Sequence, residues 1–151
     1  MKKLVAISFI LLLSIGCKAR KSGPAIVMID MPEVNATAKN RAYELGKRVL
    51  NSCNTSRFTP FTNEEATAQL IKNITPEKIT KTCQKFRIKY GKFKDIELSQ
   101  VLKNKADNSL IFRYKAQYQW KHTLKELRVV VNEEGKVSAI KSTNWVDLYQ
   151  P

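Results

Sequence analysis

The chain has 151 residues, with 27 Lys or Arg against 13 Asp or Glu, so its formal net charge at pH 7 is +14. This length predicts a single folded domain. One histidine and five glycines are too few for the usual histidine triad, histidine-ligated metal or glycine-rich phosphate loop. We therefore expect no metal and no cofactor.

Residues 1–16 predict a secretory signal peptide. Lys2 and Lys3 precede an uncharged run over residues 4–16, which is the layout of such a signal. The run is shorter than the roughly 20 apolar residues that span a bilayer.

Cys17, directly after that run, is the predicted lipid anchor. Segment 13–17 resembles the lipobox of bacterial lipoproteins, in which a small residue precedes the cysteine. It departs from that motif at Ser14, where the lipobox usually carries Leu. The resemblance implies loss of residues 1–16 and acylation of Cys17 by palmitate-type chains, which hold a protein at a membrane of the cell envelope. Lys18 stands where an aspartate retains many lipoproteins at the inner membrane, which favours the outer membrane. An ordinary signal cleaved nearby and an uncleaved short anchor are the alternatives.

The charge of the remaining chain suggests a class of partner. Without residues 1–16, 25 basic and 13 acidic residues remain, a net charge of +12. Such a charge favours an acidic protein or an anionic membrane face. Because the lysines are spread along the chain, a plain solvated surface is the alternative.

Residues 17–35 predict a lipidated tether, and residues 36–151 a single domain. Gly23 and two prolines interrupt any regular period in the tether. Its apolar stretch, 25–29, would also suit a segment packed on the domain.

Two helix starts follow the tether. Apolar positions spaced by three and four predict an amphipathic helix whose inward face carries Ala38, Ala42, Leu45, Val49 and Cys53. Thr62 and Glu65 then have the spacing of a capping box, which predicts a second helix.

A third helix is predicted after Thr75, an N-cap candidate followed by proline, and Gly91 is placed to end it. Its inward face carries Cys83, as the first helix carries Cys53. Once Cys17 is lipidated, these two form an even pair in an oxidising compartment, so we expect a disulfide between the helices. Two separate buried thiols are the alternative.

After the third helix the period changes to alternation, which predicts strands over residues 94–102, 110–120, 124–131 and 136–145. Their short connections imply an antiparallel meander. The predicted fold class is α+β, with N-terminal helices packed on a curved four-stranded antiparallel sheet.

The junction at residues 90–93 (YGKF) and the last hairpin at 132–137 (NEEGKV) resemble those of small exported domains in the nuclear transport factor two-like superfamily. The resemblance covers roughly residues 36–147. It implies a sheet that wraps a long helix into a cone with a pocket, and it implies no particular reaction.

The second strand carries the candidate binding residues. Its inward face places Phe112, Tyr114, Tyr118 and Trp120 in one row, which predicts either a pocket wall or plain core. Alternation puts cations such as Arg113 on the opposite face. That separation and the predicted export argue against nucleic-acid binding.

Candidate catalytic groups are few. Asp95 and Glu97 share one strand face and would act as an acid–base pair only if that face were enclosed. His122 falls where the chain should turn, which predicts an exposed hairpin histidine. No nucleophile elbow occurs in the sequence.

These patterns favour a non-enzymatic, lipid-anchored domain that binds a small apolar ligand or a protein partner through the mouth of the cone. One alternative is an enzyme with an acid–base pair in that pocket. Another is an immunity-type interaction protein that presents a basic outer face to an acidic partner.

Overall fold

The structure, a computed structural model, describes residues 25–120 and 124–151. The predicted signal peptide, Cys17 and His122 lie outside the described residues. The described elements are β1 (Ile26–Ile29), α1 (Ala36–Thr55), α2 (Ala68–Asn73), α3 (Pro76–Tyr90), β2 (Phe93–Asn104), β3 (Leu110–Tyr118), β4 (Lys125–Val131) and β5 (Val137–Asn144). The fold is α+β, as predicted.

The limits of α3 follow the local signals in the sequence. Thr75 caps the helix by accepting a hydrogen bond from the backbone N–H of Lys78 at 3.4 Å, and Pro76 occupies the first turn. Gly91 ends the helix with a φ of 74°, a backbone conformation that strongly favours glycine. The start of α1 is likewise capped, by the side chain of Asn35.

The capping-box pattern at Thr62 and Glu65 does not start a helix. One of the two hydrogen bonds of a capping box forms here, in which the Glu65 carboxylate accepts from the Thr62 N–H at 3.0 Å. However, the carbonyl of Glu65 accepts a hydrogen bond from the N–H of Val137 on β5 at 2.9 Å. Because this pairing holds the backbone extended, the helix begins later, at Ala68, where Thr67 provides the cap.

The sheet has five strands rather than the expected four, in the order β1-β2-β3-β4-β5, and every neighbouring pair is antiparallel. The additional strand, β1, comes from residues assigned to the tether. It pairs with β2 from Ile26 opposite Asn104 to Ile29 opposite Val101. An apolar, largely β-branched segment suits the edge of a long strand, so the folded domain begins before residue 36.

The helices cover one face of the sheet, and the core lies between. The backbone of α1 approaches the sheet closely at Gly46, where an added Cβ would lie 2.9 Å from Leu127 and 3.0 Å from Val129. A larger residue at this position would require the side chains of Leu127 and Val129 to shift. Among the helices in the described ranges, none is long and apolar enough to cross a membrane.

Candidate functional site

Three of the four predicted pocket residues are buried in the core of the domain. Phe112, Tyr114 and Tyr118 belong to the main core, with exposures of 0%, 1% and 6%, whereas Trp120 is 41% exposed. The side chains of Tyr114 and Tyr118 lie among other aromatic rings. These three inward-facing residues are therefore core, the other outcome that the sequence pattern allowed.

Burial leaves two of these residues with unusual hydroxyl groups. The hydroxyls of Tyr114 and Tyr118 are buried and find no hydrogen-bond partner in the described part of the chain. Burial raises the pKa of both phenols above their ordinary value. Both phenols therefore stay protonated, and each keeps a buried hydroxyl without a hydrogen-bond partner among the described residues.

An apolar cleft lies elsewhere, between the helices and the last two strands. Its volume is about 200 Å³. The lining comes from α1, the α2–α3 junction, α3, β4 and β5, and comprises Val49, Leu50, Cys53, Asn73, Ile74, Lys78, Ile79, Thr82, Cys83, Phe86, Leu127, Ile140 and Ser142. Most of these side chains are apolar, so the cleft favours apolar groups over charged ones.

A disulfide stands between the two helices that line the cleft. The structure joins Cys53 of α1 to Cys83 of α3, with the Cα atoms 4.7 Å apart. Both cysteines are buried on the inward faces that the periodicity indicated. This cross-link sets the separation of the helices next to the cleft.

Few polar groups reach the cleft. The Ser142 hydroxyl oxygen is buried and has no hydrogen-bond partner among the described residues. The Thr82 hydroxyl donates to the Lys78 carbonyl at 2.9 Å. Lys78 is exposed and lines the rim. Asn73 adds a side-chain amide, so the lining offers one free hydroxyl, one amide and one ammonium group, and its described members include no carboxylate and no imidazole.

The predicted acid pair does not form an enclosed site. Asp95 accepts a hydrogen bond from the Tyr43 hydroxyl at 3.1 Å and forms an ion pair with Lys47 at 3.2 Å. Burial opposes ionisation of Asp95, but hydrogen bonds from the Ile96 N–H, Lys47 and Tyr43 outweigh it, so the pKa lies below its ordinary value. Glu97 is exposed. Within the described ranges, no cluster of three or more His, Cys, Asp or Glu could hold a metal ion.

The outer sheet face holds a buried ionic network that the sequence pattern did not reveal. Arg113 and Glu126 are fully buried and form a two-bond pair, at 2.9 Å and 2.8 Å. The guanidinium of Arg128 also donates to Glu126. Alternation predicted that Arg113 lies on the face opposite the aromatic row. Arg113 does lie there, but a later segment of the chain covers it.

The covering segment is residues 145–151, which follow β5 and cross the outer face. Its main-chain carbonyls accept hydrogen bonds from both Arg113 and Arg128. The Trp145 ring centre lies 4.5 Å from the guanidinium carbon of Arg113. The Tyr149 ring centre lies 4.6 Å from the guanidinium carbon of Arg128. In the sequence, the aromatic residues Trp145 and Tyr149 were the feature that could have indicated that this segment packs on the sheet.

Comparison of the chain with protein-family models, with curated proteins and with solved structures gives no match. The apolar cleft is therefore the feature of the described residues on which a function can be argued.

Proposed function

We propose that the chain is a lipid-anchored, non-enzymatic domain of the bacterial cell envelope that binds a small apolar ligand in the cleft beside the Cys53–Cys83 disulfide. The observation that carries this proposal is the composition of the cleft, whose walls are mostly apolar and carry three available polar groups: the buried Ser142 hydroxyl, the Asn73 amide and the Lys78 ammonium group at the rim. Such a lining suits a ligand that is apolar along its length and polar at one end.

The dimensions of the cleft restrict the ligand. A volume of about 200 Å³ is smaller than the roughly 300–1,000 Å³ of typical small-molecule sites. It matches a short acyl chain or a single ring. The Lys78 ammonium would favour a carboxylate or phosphate at the exposed end.

The predicted anchor would keep the domain close to lipid. If Cys17 carries acyl chains, the tether is only residues 18–25, because β1 begins at Ile26. Eight extended residues span at most about 29 Å. The cleft therefore stays within reach of a bilayer, which is the outer membrane if Lys18 acts as the lipoprotein resemblance implies.

Irregularities in β2 support a curved, cone-like sheet. Register shifts interrupt its pairing with β3 between Phe93 and Asp95 and between Leu98 and Gln100. Bulges of this kind bend a strand and increase its twist. A cone of this kind, with its pocket on the helix side, is what the likeness to the nuclear transport factor two-like superfamily implies.

Titration with hexanoate tests the ligand proposal, with the full-length protein held in lipid nanodiscs and methyl resonances recorded by NMR. We expect shifts at Val49, Ile79 and Ile140, which line the cleft. Hexanol, which lacks the carboxylate, should bind more weakly if the Lys78 ammonium contributes.

Two matched variants on α3 provide the control. Thr82→Trp should fill the cleft from its rim and abolish the shifts, because Thr82 lines the cleft. Thr80→Trp makes the same substitution at another exposed threonine of the same helix, which is not part of that lining, and should leave the shifts intact. Hexanoate shifts that persist in Thr82→Trp would overturn the proposed site.

A further inference from the structure

The outer face of α3 carries a continuous row of lysines. Lys78, Lys81, Lys85 and Lys89 recur at intervals of three and four residues, which places them along one side of the helix over about 16 Å. All four are exposed, and Ile88 beside them is 79% exposed. We call these four residues the lysine face.

The lysine face points away from the core. Cys83 and Tyr90 are the buried residues of α3, and at about 100° per residue they lie on the opposite side of the helix from Lys85. Ile88 lies on this outer side as well, so packing within the domain does not account for its position.

The charge of the lysine face is not neutralised internally. No carboxylate of the described residues forms an ion pair with any of the four lysines. Glu77, in the first turn, is the only acidic residue of α3. By contrast, Lys47, Arg48, Arg113, Arg128 and Lys136 all have carboxylate partners. The positive field of α3 is thus available to an external anion.

We propose that the lysine face docks the domain onto an anionic phospholipid surface, with Ile88 entering the headgroup layer. The proposal rests on the proposed function only in that the lipid anchor brings the domain to a bilayer. Lysines near an anionic leaflet each strengthen binding roughly fivefold.

The shape and chemistry of the lysine face favour a membrane over an acidic protein. A helix is a convex cylinder, and it presents its lysines as flexible, strongly hydrated point charges. Such charges suit the diffuse potential of a lipid surface, whereas specific carboxylate recognition commonly uses the planar fork of arginine. The exposed apolar side chain among the lysines also suits an interface with lipid.

Docking through this face would bring the cleft to the lipid. Lys78 belongs both to the lysine face and to the rim of the cleft, and Thr82 lies between these surfaces on α3. The mouth would then open beside the headgroups. The cleft ligand would accordingly be a lipid-derived molecule with an acidic headgroup or carboxylate.

Lysine footprinting tests the docking. The full-length protein is bound to vesicles of phosphatidylcholine alone, or of phosphatidylcholine with an equal amount of phosphatidylglycerol, and treated with an amine-reactive reagent. Labelling of Lys81, Lys85 and Lys89 should fall roughly fivefold in the anionic vesicles and recover at high salt. Labelling of Lys141 should not change, because it alternates along β5 with the cleft-lining Ile140 and Ser142 and therefore lies on the opposite face of the sheet.

Two charge-matched variants complete the test. Lys81→Gln/Lys85→Gln/Lys89→Gln should abolish the protection of Lys78 in anionic vesicles. Lys39→Gln/Lys105→Gln/Lys141→Gln, which removes three exposed charges elsewhere, should leave it intact.

Several results would overturn the docking proposal: equal labelling in both vesicle types, equal effects of the two triple variants, or protection that arises only when a membrane protein is added. Failure of the anchor is distinguishable, because an unanchored protein would not float with phosphatidylcholine vesicles at all.

Discussion

At the scale of single residues, the buried pair of Arg113 and Glu126 constrains the outer face of the sheet. Both side chains are fully buried, and a buried charge is tolerated only with its partner and its hydrogen bonds in place. Arg48 and Glu65 make a similar two-bond pair, but they remain partly exposed. The two pairs therefore differ in how much water screens them.

Replacing each carboxylate by its amide should separate these two cases. Glu126→Gln should lower the free energy of unfolding by about 3–5 kcal/mol, because it leaves Arg113 buried without a counter-charge. Glu65→Gln should cost less than Glu126→Gln, because water partly screens the pair of Arg48 and Glu65. Urea denaturation measures both, and equal losses would contradict the buried network.

Acidification should destabilise the protein through these same carboxylates. Hydrogen bonds from Arg48 outweigh desolvation and lower the pKa of Glu65 from 4.5 to about 2. Burial raises the pKa of Glu126, but hydrogen bonds from Arg113 and Arg128 bring it below its ordinary value. Carboxyls with lowered pKa stabilise the fold above their ordinary pKa, and this stability is lost as pH falls through the folded value. The stability that Glu65 contributes should be lost between about pH 4.5 and 2. The Glu65→Gln variant should not show this loss.

Substitution of Tyr114 tests directly whether its ring belongs to the core. Tyr114→Ala should lose about 3–5 kcal/mol of unfolding free energy, the range for a truncated core aromatic. Tyr114→Phe should be neutral or stabilising, because the hydroxyl is buried without a partner in the described part of the chain. Thermal denaturation measures both, and a loss above about 1 kcal/mol in Tyr114→Phe would show that the hydroxyl is bonded.

At the scale of elements, the arrangement of the helices depends on two contacts. Gly46 lets α1 lie close to β4, and the Cys53–Cys83 link ties α3 to α1. Residues 65–67, just before the short helix α2, cover the edge of β5, where Glu65 and Thr67 form backbone hydrogen bonds with Val137. The cleft is the space that these contacts leave between helices and sheet.

Removal of the disulfide should loosen this arrangement. The bond closes a loop with a sequence separation of 30, so Cys53→Ala/Cys83→Ala should lower the free energy of unfolding by about 3–4 kcal/mol in the chain-entropy model. Peptide mapping of the exported protein without reductant should recover the linked pair. Two freely alkylatable thiols in that material would contradict the link.

At the scale of the whole molecule, the proposed location at a membrane depends on Cys17, which lies outside the described residues. Cys17→Ala should abolish incorporation of a fatty-acid analogue during metabolic labelling, because Cys53 and Cys83 are buried on the inward faces of helices. The double variant Cys53→Ala/Cys83→Ala should keep the label. Undiminished label in Cys17→Ala would remove the anchor from the proposal.

The amino-acid sequence by itself determined the features that depend on near neighbours. Capping and proline chemistry at Thr75 and Pro76 started α3, and Gly91 ended it, because each of these signals acts within one helical turn. Alternation and short turns predicted the four consecutive strands of the meander. Two cysteines on apolar stripes indicated which helices come together.

Tertiary structure decided the features that depend on distant partners. Residues 26–29 became an edge strand because β2, some 70 residues later, offered a free edge. The capping-box pattern at Thr62 and Glu65 did not start a helix because β5 holds the backbone of Glu65 and Thr67, and Arg113 was buried by residues 145–151. The cleft likewise arises where side chains of α1, the α2–α3 junction, α3, β4 and β5 leave the space between them unfilled. Edge pairing and burial are collective, so no local pattern specifies them.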